Sequence, residues 1–363
     1  NPSESTHSAP DRRQLMNFLP SALEILLGIV LLFGGGELFV AGSSALALLL
    51  GIPQIVIGLT VVSLGTSAPE LFVSLISTFQ DGDAIAVSNV VGSNIFNLMV
   101  VLGLSALVVP LRVKSRLVRR DVPLLLGVSM AVWGMASGGR LTWQAGLALL
   151  VGTAINLIWE MRTASEYSDA EGDFDEGDRA TPAVAAAKLA GGLVLLVLGS
   201  QVLVKGATAA AIGLGVTQTV IGLTIVSAGT SMPELVTSLV AAYRGKADLA
   251  IGNVVGSNLL NQLLILGVCS VFSGEGLLVD PVVISRDLPV MVLTTLALLP
   301  ILWTRGVVSR LEGGILVGLY VLYMAEQVLS ETLTTAQDEF RFVVLVVVLP
   351  LVLVFLVWQM LRW

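Results

Sequence analysis

A chain of 363 residues with 55% hydrophobic and 12% charged positions and a mean hydropathy of +0.91 is excluded from the ordinary soluble domains, in which about a quarter of residues are charged. Its net charge of −7 comes mostly from one acidic stretch and the tails, which points to no nucleic-acid partner. With one cysteine, Cys269, and one histidine, His7, neither an intrachain disulfide nor a thiolate or imidazole metal cluster can be assembled.

Residues 1–18 are polar and read as a disordered tail; the apolar run after them is too long for the core of a cleavable signal. Five apolar stretches of spanning length follow, at roughly 21–50, 52–79, 84–109, 122–136 and 143–159, making a first unit over 19–162. Residues 163–181 turn acidic, with Glu166, Asp169, Glu171, Asp173, Asp175, Glu176 and Asp178 among Gly and Ser, and read as a solvated linker. The Gly and terminal Glu spacing of an EF-hand loop is missing there. Five more stretches lie at roughly 183–214, 217–243, 248–272, 288–303 and 311–329, a second unit over 182–330. A last apolar run within 340–363 reads as an eleventh helix.

The two units repeat one another. Gly65-Thr66-Ser67-Ala68-Pro69-Glu70 recurs as Gly229-Thr230-Ser231-Met232-Pro233-Glu234, an offset of 164 residues, and residues 35–103 align with 199–267 without a gap. Within that window Asn89, Ser93 and Asn97 recur as Asn253, Ser257 and Asn261. Their i, i+4, i+8 spacing makes one polar stripe on a helix. Five spans is an odd number, so the second unit enters the bilayer from the opposite side. The expected architecture is an all-α membrane protein of two inverted five-helix repeats with broken helices at mid-membrane, plus one extra C-terminal helix. With the N-terminus outside, thirteen Lys and Arg fall on inward segments and five on outward ones, while Lys205 lies within a span. The positive-inside rule therefore places the N-terminus outside and the acidic linker in the cytoplasm of a multi-pass cell-membrane protein.

Pro69 and Pro233 break their helices, so the chain is expected to unwind near Gly65–Ala68 and at Gly229. Unwound backbone inside a bilayer is tolerated only where it lines a cavity or meets a ligand, and carbonyls suit a cation. Around the breaks stand Ser63, Thr66, Ser67 and Glu70, and Ser227, Thr230, Ser231 and Glu234, to which the stripes add Ser93, Asn97, Ser257 and Asn261. These are hard oxygen donors suited to Ca²⁺ or Na⁺, numerous enough for a six- to eight-ligand Ca²⁺ shell. A carboxylate in mid-bilayer costs roughly 3 kcal/mol or more, so two of them require a compensating cation or a proton. Two similar halves meeting at broken helices are what alternating access needs, and no Walker lysine motif is present, so exchange of one cation for another follows.

The doubled GTSAPE and GTSMPE, each followed by NVVGSN, resembles the two alpha repeats of the sodium/calcium exchanger family within the cation/Ca²⁺ exchanger superfamily. The resemblance implies that Glu70 and Glu234 are the central cation ligands and that Thr66, Ser67, Thr230 and Ser231 line neighbouring Na⁺ sites. It likewise implies ligands in Ser93, Ser257 and the carbonyls of Ser63 and Ser227. Many such exchangers carry Asn after the first GSN and Asp after the second, whereas here both positions, Asn97 and Asn261, are Asn. Asn resembles a protonated Asp and keeps an oxygen for Ca²⁺; acidic residues there accompany potassium dependence in some relatives.

The expectation is therefore a Na⁺/Ca²⁺ antiporter with Ca²⁺ and Na⁺ as transported substrates, no cofactor, no enzymatic activity and a monomer as the functional unit. Ca²⁺/H⁺ exchange stays open because the glutamates are able to cycle protons, and an uncoupled cation channel would use the same oxygens. For Asn89, Asn94, Asn253 and Asn258 the competing role is interhelical hydrogen bonding. Glu37 and Lys205, at unmatched positions of the two halves, read as ion-paired or snorkelling.

Overall fold

Long apolar runs without internal partners for their backbone have one solution in a bilayer, the helix, and the chain follows it almost throughout. The computed structural model describes residues 12–80, 83–112, 120–164, 180–303, 306–332, 334–352 and 354–355. In the first repeat these form α1 (Arg12–Leu50), α2 (Gln54–Thr66), α3 (Ala68–Phe79), α4 (Ala84–Val108), α5 (Val122–Ala136) and α6 (Trp143–Arg162). In the second they form α7 (Pro182–Gly213), α8 (residues 218–229), α9 (Met232–Tyr243), α10 (Ala247–Phe272), α11 (Val283–Leu302) and α12 (Arg310–Leu329). The segment α13 (Thr334–Val343) continues through a π turn at Val344–Val348. The backbone of α1 is helical from Arg12, inside the stretch read as a tail; the acidic run 165–179 lies outside the described residues.

Sequence-level start signals are used where helices begin in loops. The Thr142 hydroxyl accepts from Ala145 N–H at 3.3 Å at the start of α6, and Thr181 accepts from Val184 N–H at 3.4 Å before Pro182. Ser309 and Glu312 make a reciprocal capping box ahead of α12, with the Ser309 N–H donating to Glu312 Oε2 at 2.7 Å and the Glu312 N–H to Ser309 Oγ at 3.3 Å.

The two repeats are inverted and interlocked. On α1, Gly28, Gly35 and Gly42 recur every seven residues, and Gly192, Gly199 and Gly206 do the same on α7. A Cβ on Gly28 would fall 2.6 Å from Leu203 N, one on Gly35 2.8 Å from Leu196 N, and one on Gly42 2.6 Å from Leu189 N. The partner numbers fall as the α1 numbers rise, so the corresponding helices run antiparallel with their backbones in contact. Two short antiparallel ladders repeat the relation: β1 (Leu111–Arg112) pairs with β4 (Val307–Val308), and β2 (Arg140–Leu141) with β3 (Leu277–Leu278). Each ladder takes one strand from each repeat.

Helices α4 and α10 form the centre, with 83% of their most apolar stretch buried, against 22–39% for the other long apolar helices described. The outer helices show lipid-facing Leu and Phe, such as Leu23, Leu26 and Phe33 on α1. Substitution of Gly192 by Leu is expected to cost about 3 kcal/mol or more, because its Cβ would sit 2.5 Å from the Phe39 backbone nitrogen, which no rotamer relieves. Gly191 has nothing within 4 Å of its Cβ and should accept Leu. Thermal unfolding of the two purified variants checks this; equal losses in both would show that the glycine contact is not what holds α1 to α7.

A second pair of matching features lies outside the aligned window. Arg120-Asp121-Val122-Pro123 recurs as Arg286-Asp287-Leu288-Pro289, and Glu160 as Glu326, each 166 residues on. Arg120 bonds Asp121 at 2.9 Å and also Glu160, tying the start of α5 to α6. Arg286 meets Asp287 at 2.6 Å and Glu326 at 3.5 Å, tying α11 to α12. Glu326 also accepts from Arg341 at 2.5 Å and Gln337 at 3.0 Å, which docks α13 on the second repeat. Lys205 pairs with Glu24 at 2.6 Å, and Glu37 with Arg244 at 2.5 Å. Lys246 Nζ donates to Ser44 Oγ at 3.0 Å, so the turn between α9 and α10 is fastened to α1.

Candidate cation site at the helix breaks

Proline in the first turn of a helix lacks an N–H where none is needed, so a chain broken at proline can restart a helix at once. The first break is accordingly shorter than the sequence suggested, and the second falls after Gly229, which stays helical. Between α2 and α3, bent by 44°, only Ser67 leaves the helix, at φ −79° and ψ 3°. Its N–H still bonds the Ser63 carbonyl at 2.9 Å. Between α8 and α9 the break is Thr230 and Ser231, with Ser231 at φ −90° and ψ 9°. The Gly229 carbonyl, which Pro233 leaves without its helical donor, accepts instead from Ser200 Oγ of α7. The expected run of bare carbonyls is thus largely absent, and the site rests on side-chain oxygens.

Glu70 and Glu234 stand in the first turns of α3 and α9, where the helix dipole favours a carboxylate. Both are 0% exposed. Each is held from the opposite repeat: Ser67 Oγ donates to Glu234 Oε1 at 3.0 Å, and Ser231 Oγ to Glu70 Oε1 at 2.8 Å. A hydroxyl whose proton is engaged this way has only lone pairs left to offer. Oε2 of each glutamate is buried without a protein partner.

The polar stripes of α4 and α10 close the space. Asn89 Nδ2 donates to Ser74 Oγ at 3.0 Å and to the Glu70 carbonyl at 3.5 Å; Asn253 Nδ2 donates to Ser238 Oγ at 2.9 Å and to the Glu234 carbonyl at 3.3 Å. Thr66 Oγ1 donates to Asn253 Oδ1 at 3.0 Å and lies 3.4 Å from Ser257 Oγ. Asn97 and Asn261 each open a π turn, Asn97–Val101 and Asn261–Ile265, and two more stand at Gly58–Val62 and Gly222–Val226. The same underwinding thus recurs at matching positions of both repeats, a frequent mark of functional sites. The turn at Asn261 packs against α3, and that at Asn97 against α9.

Among the expected site residues, Ser93 Oγ, Thr230 Oγ1, Asn261 Oδ1 and both amide atoms of Asn97 are buried without protein partners, beside the two glutamate oxygens. Native proteins leave few such atoms unpaired, and a concentration of them, nearly all oxygens, is what a cation or water would complete. The Ser63 hydroxyl serves helix packing, donating to the Gly58 carbonyl at 2.5 Å with those of Gly252 and Asn253 nearby, and the Ser63 carbonyl accepts from the Ser67 N–H. The Ser227 side chain lies outside what is described. Sequence reasoning passed over Ser74, Ser238 and Ser200. The first two recur at the repeat offset four residues after each glutamate, which is the signal that would have found them.

Identical motifs are packed unequally. Helix α2 lies hard against α10: a Cβ on Gly58 would fall 2.9 Å from the Leu249 carbonyl, and one on Gly252 2.7 Å from that of Ile55. On the other side, a Cβ on Gly222 of α8 would have nothing within 4 Å. Asn253 is 0% exposed while Asn89 is only half-buried.

A family model described as sodium/calcium exchanger protein matches residues 21–160 and 184–329. The chain is 36% identical over 313 residues to the putative antiporter CaxA of Alkalimonas amylolytica, spanning 84% of this chain and 98% of that protein. It is 32% identical over 341 residues to the sodium/calcium exchanger MaX1 of Methanosarcina acetivorans, spanning 83% and 97%. Among solved structures, the sodium-calcium exchanger NCX_Mj soaked with Na⁺ and Sr²⁺ matches with a TM-score of 0.72 at 30% identity, over 85% of this chain and 98% of that one.

Proposed function

We propose that this chain, which belongs to the sodium/calcium exchanger family, exchanges Na⁺ for Ca²⁺ through one shared site between Glu70 and Glu234. Membership makes it a multi-pass membrane exchanger of the cation/Ca²⁺ class. The ion pair exchanged is our inference, and the pair of buried carboxylates, each bridged by the other repeat's serine and each with a free oxygen, carries it. Their two charges match one Ca²⁺ or two Na⁺. Ser67, Ser231, Thr66, Thr230, Ser93, Ser257, Asn97 and Asn261 supply neutral oxygens that replace hydration water.

The unequal packing of the two repeats supports alternating access, in which the loose and tight sides trade places. With the N-terminus outside, as the distribution of basic residues favours, the tight α2–α10 contact faces the cytoplasm and the loose α8 side faces outward. The glutamates are closed off in this conformation, and the loose outward side is where the path to them opens. All the groups invoked belong to one chain, which supports a monomer as the transport unit.

Uptake of ⁴⁵Ca²⁺ into Na⁺-loaded proteoliposomes at clamped pH tests the reading. Uptake is expected to require an outward Na⁺ gradient and to stop when Na⁺ is equal on both sides. Uptake that ignores Na⁺ but follows a pH gradient would assign the protein to Ca²⁺/H⁺ exchange, and flux down a Ca²⁺ gradient with no counter-ion would make it a channel.

A further inference from the structure

Asn94 lies on α4, fully buried, among the residues that the cation site leaves unused. Its Nδ2 donates to the Asn258 carbonyl at 3.3 Å and faces Met291 Sδ at 3.7 Å. A backbone carbonyl only accepts, so the amide of Asn94 can stand one way round, with its nitrogen toward α10 and α11 and its oxygen toward Asn261. Asn261 Nδ2 then donates to Asn94 Oδ1 at 3.1 Å, and Asn261 Oδ1 is left buried with no protein partner. The polarity of the whole chain of bonds is set by the carbonyl at its start.

The matching residues of the other repeat do not do this. Asn258, equivalent to Asn94, turns its Nδ2 back onto the Val254 carbonyl of its own helix at 2.7 Å. Asn97, equivalent to Asn261, has neither amide atom bonded. One amide of the pair is thus oriented in advance by a hydrogen bond and the other is not. The difference matters for a cation, which is attracted by the amide oxygen and repelled by the NH₂ group.

We propose that Asn94 is a positioning residue that fixes Asn261 with its carbonyl oxygen toward the transported cation. The inference rests on the reading of Asn261 as part of the cation site. Loss of Asn94 frees the Asn261 amide to flip, which weakens cation binding without touching the glutamates. It also means that Asn94 acts only through Asn261.

The test is a double-mutant cycle on Asn94→Ala, Asn261→Ala and the double variant. Each is assayed twice: for Ca²⁺ affinity, from the Ca²⁺ dependence of thermal unfolding of the purified protein, and for KM and kcat of ⁴⁵Ca²⁺ uptake. Asn94→Ala is expected to weaken Ca²⁺ binding and raise KM about tenfold, the upper end of what one lost hydrogen bond between neutral groups does, with kcat within about twofold. In the Asn261→Ala background it should add nothing. An equal effect in both backgrounds, or wild-type affinity in a folded Asn94→Ala protein, overturns the proposal. Should the alanine variant not fold, Asn94→Leu keeps about the same side-chain volume with no amide, and the same loss of about tenfold is expected. Affinity within about twofold of wild type would count against the proposal. Should wild type bind Ca²⁺ yet show no Na⁺-driven uptake, the exchange reading fails while the binding cycle still decides the role of Asn94.

Discussion

Replacement of Glu70 or Glu234 by Gln is expected to abolish Ca²⁺ exchange and, at the same time, to make the ion-free protein more resistant to heat. Both effects come from one cause. Each carboxylate is fully buried, and its Oε1 accepts from a serine hydroxyl of the other repeat, a neutral partner that leaves its charge in place. Without a cation the two carboxyls either keep two buried charges or take up a proton, and removing one relieves a cost of up to about 3 kcal/mol. With a cation the same removal leaves one charge where two met a divalent ion, and breaking such a buried charge pair costs about 3–5 kcal/mol, or roughly two to four powers of ten in transport. Gln keeps the oxygen that accepts from Ser67 or Ser231, so the fold should persist. Uptake of ⁴⁵Ca²⁺ and thermal unfolding with and without Ca²⁺ measure the two effects. Transport within tenfold of wild type in either variant would exclude a shared carboxylate site.

The second large effect is expected at a glycine that now touches nothing. Gly222→Ala should leave the folded protein intact, even gaining about 1 kcal/mol of helix propensity, yet reduce exchange at least tenfold. In the present conformation the added methyl has no atom within 4 Å. When the repeats trade places, α8 must take the position against α4 that α2 now holds against α10, where the equivalent Gly58 leaves a Cβ 2.9 Å from a backbone carbonyl. The methyl then blocks closure, so the variant binds Ca²⁺ but does not deliver it. Gly58→Ala carries its methyl into the existing contact and should instead disfavour the conformation described. Wild-type turnover by Gly222→Ala would show that α8 never approaches α4 in the way the first repeat suggests.

The features legible in the chain were those written twice at a fixed offset. The inverted halves, the paired breaks and the two glutamates all follow from the 164-residue repeat, because a duplicated sequence must fold into a duplicated motif. The partnership of Ser67 with Glu234 was not legible, since nothing local says that a serine three residues before Glu70 serves the other half's carboxylate. The π turns have no residue signature, and only the backbone shows that the polar stripe ends in an underwound turn at Asn97. Unequal packing was hidden for a deeper reason: one motif, repeated, is found in two environments, and sequence identity argues for sameness. The Arg120 and Arg286 clusters repeat as plainly as the rest but at 166 residues, so a single fixed offset passes over them.

The ion pair between Glu37 and Arg244 shows where the likeness of the two halves stops. At the repeat offset these positions are Gln201 and Gln80, two amides. If the halves exchange conformations, the contact that holds α1 to the α9–α10 turn opens, and the contact that forms in its stead joins neutral groups. Shape symmetry is thus combined with charge asymmetry, which on the exchange reading would tilt the resting equilibrium toward the form with Glu37 and Arg244 together. The pair is about half exposed, where an ion pair contributes about 0–1 kcal/mol, so the tilt is at most roughly fivefold. On the exchange reading, the carrier would then rest more often on one side of the membrane, and its apparent affinities for one ion would differ between the two faces even though the same oxygens served both.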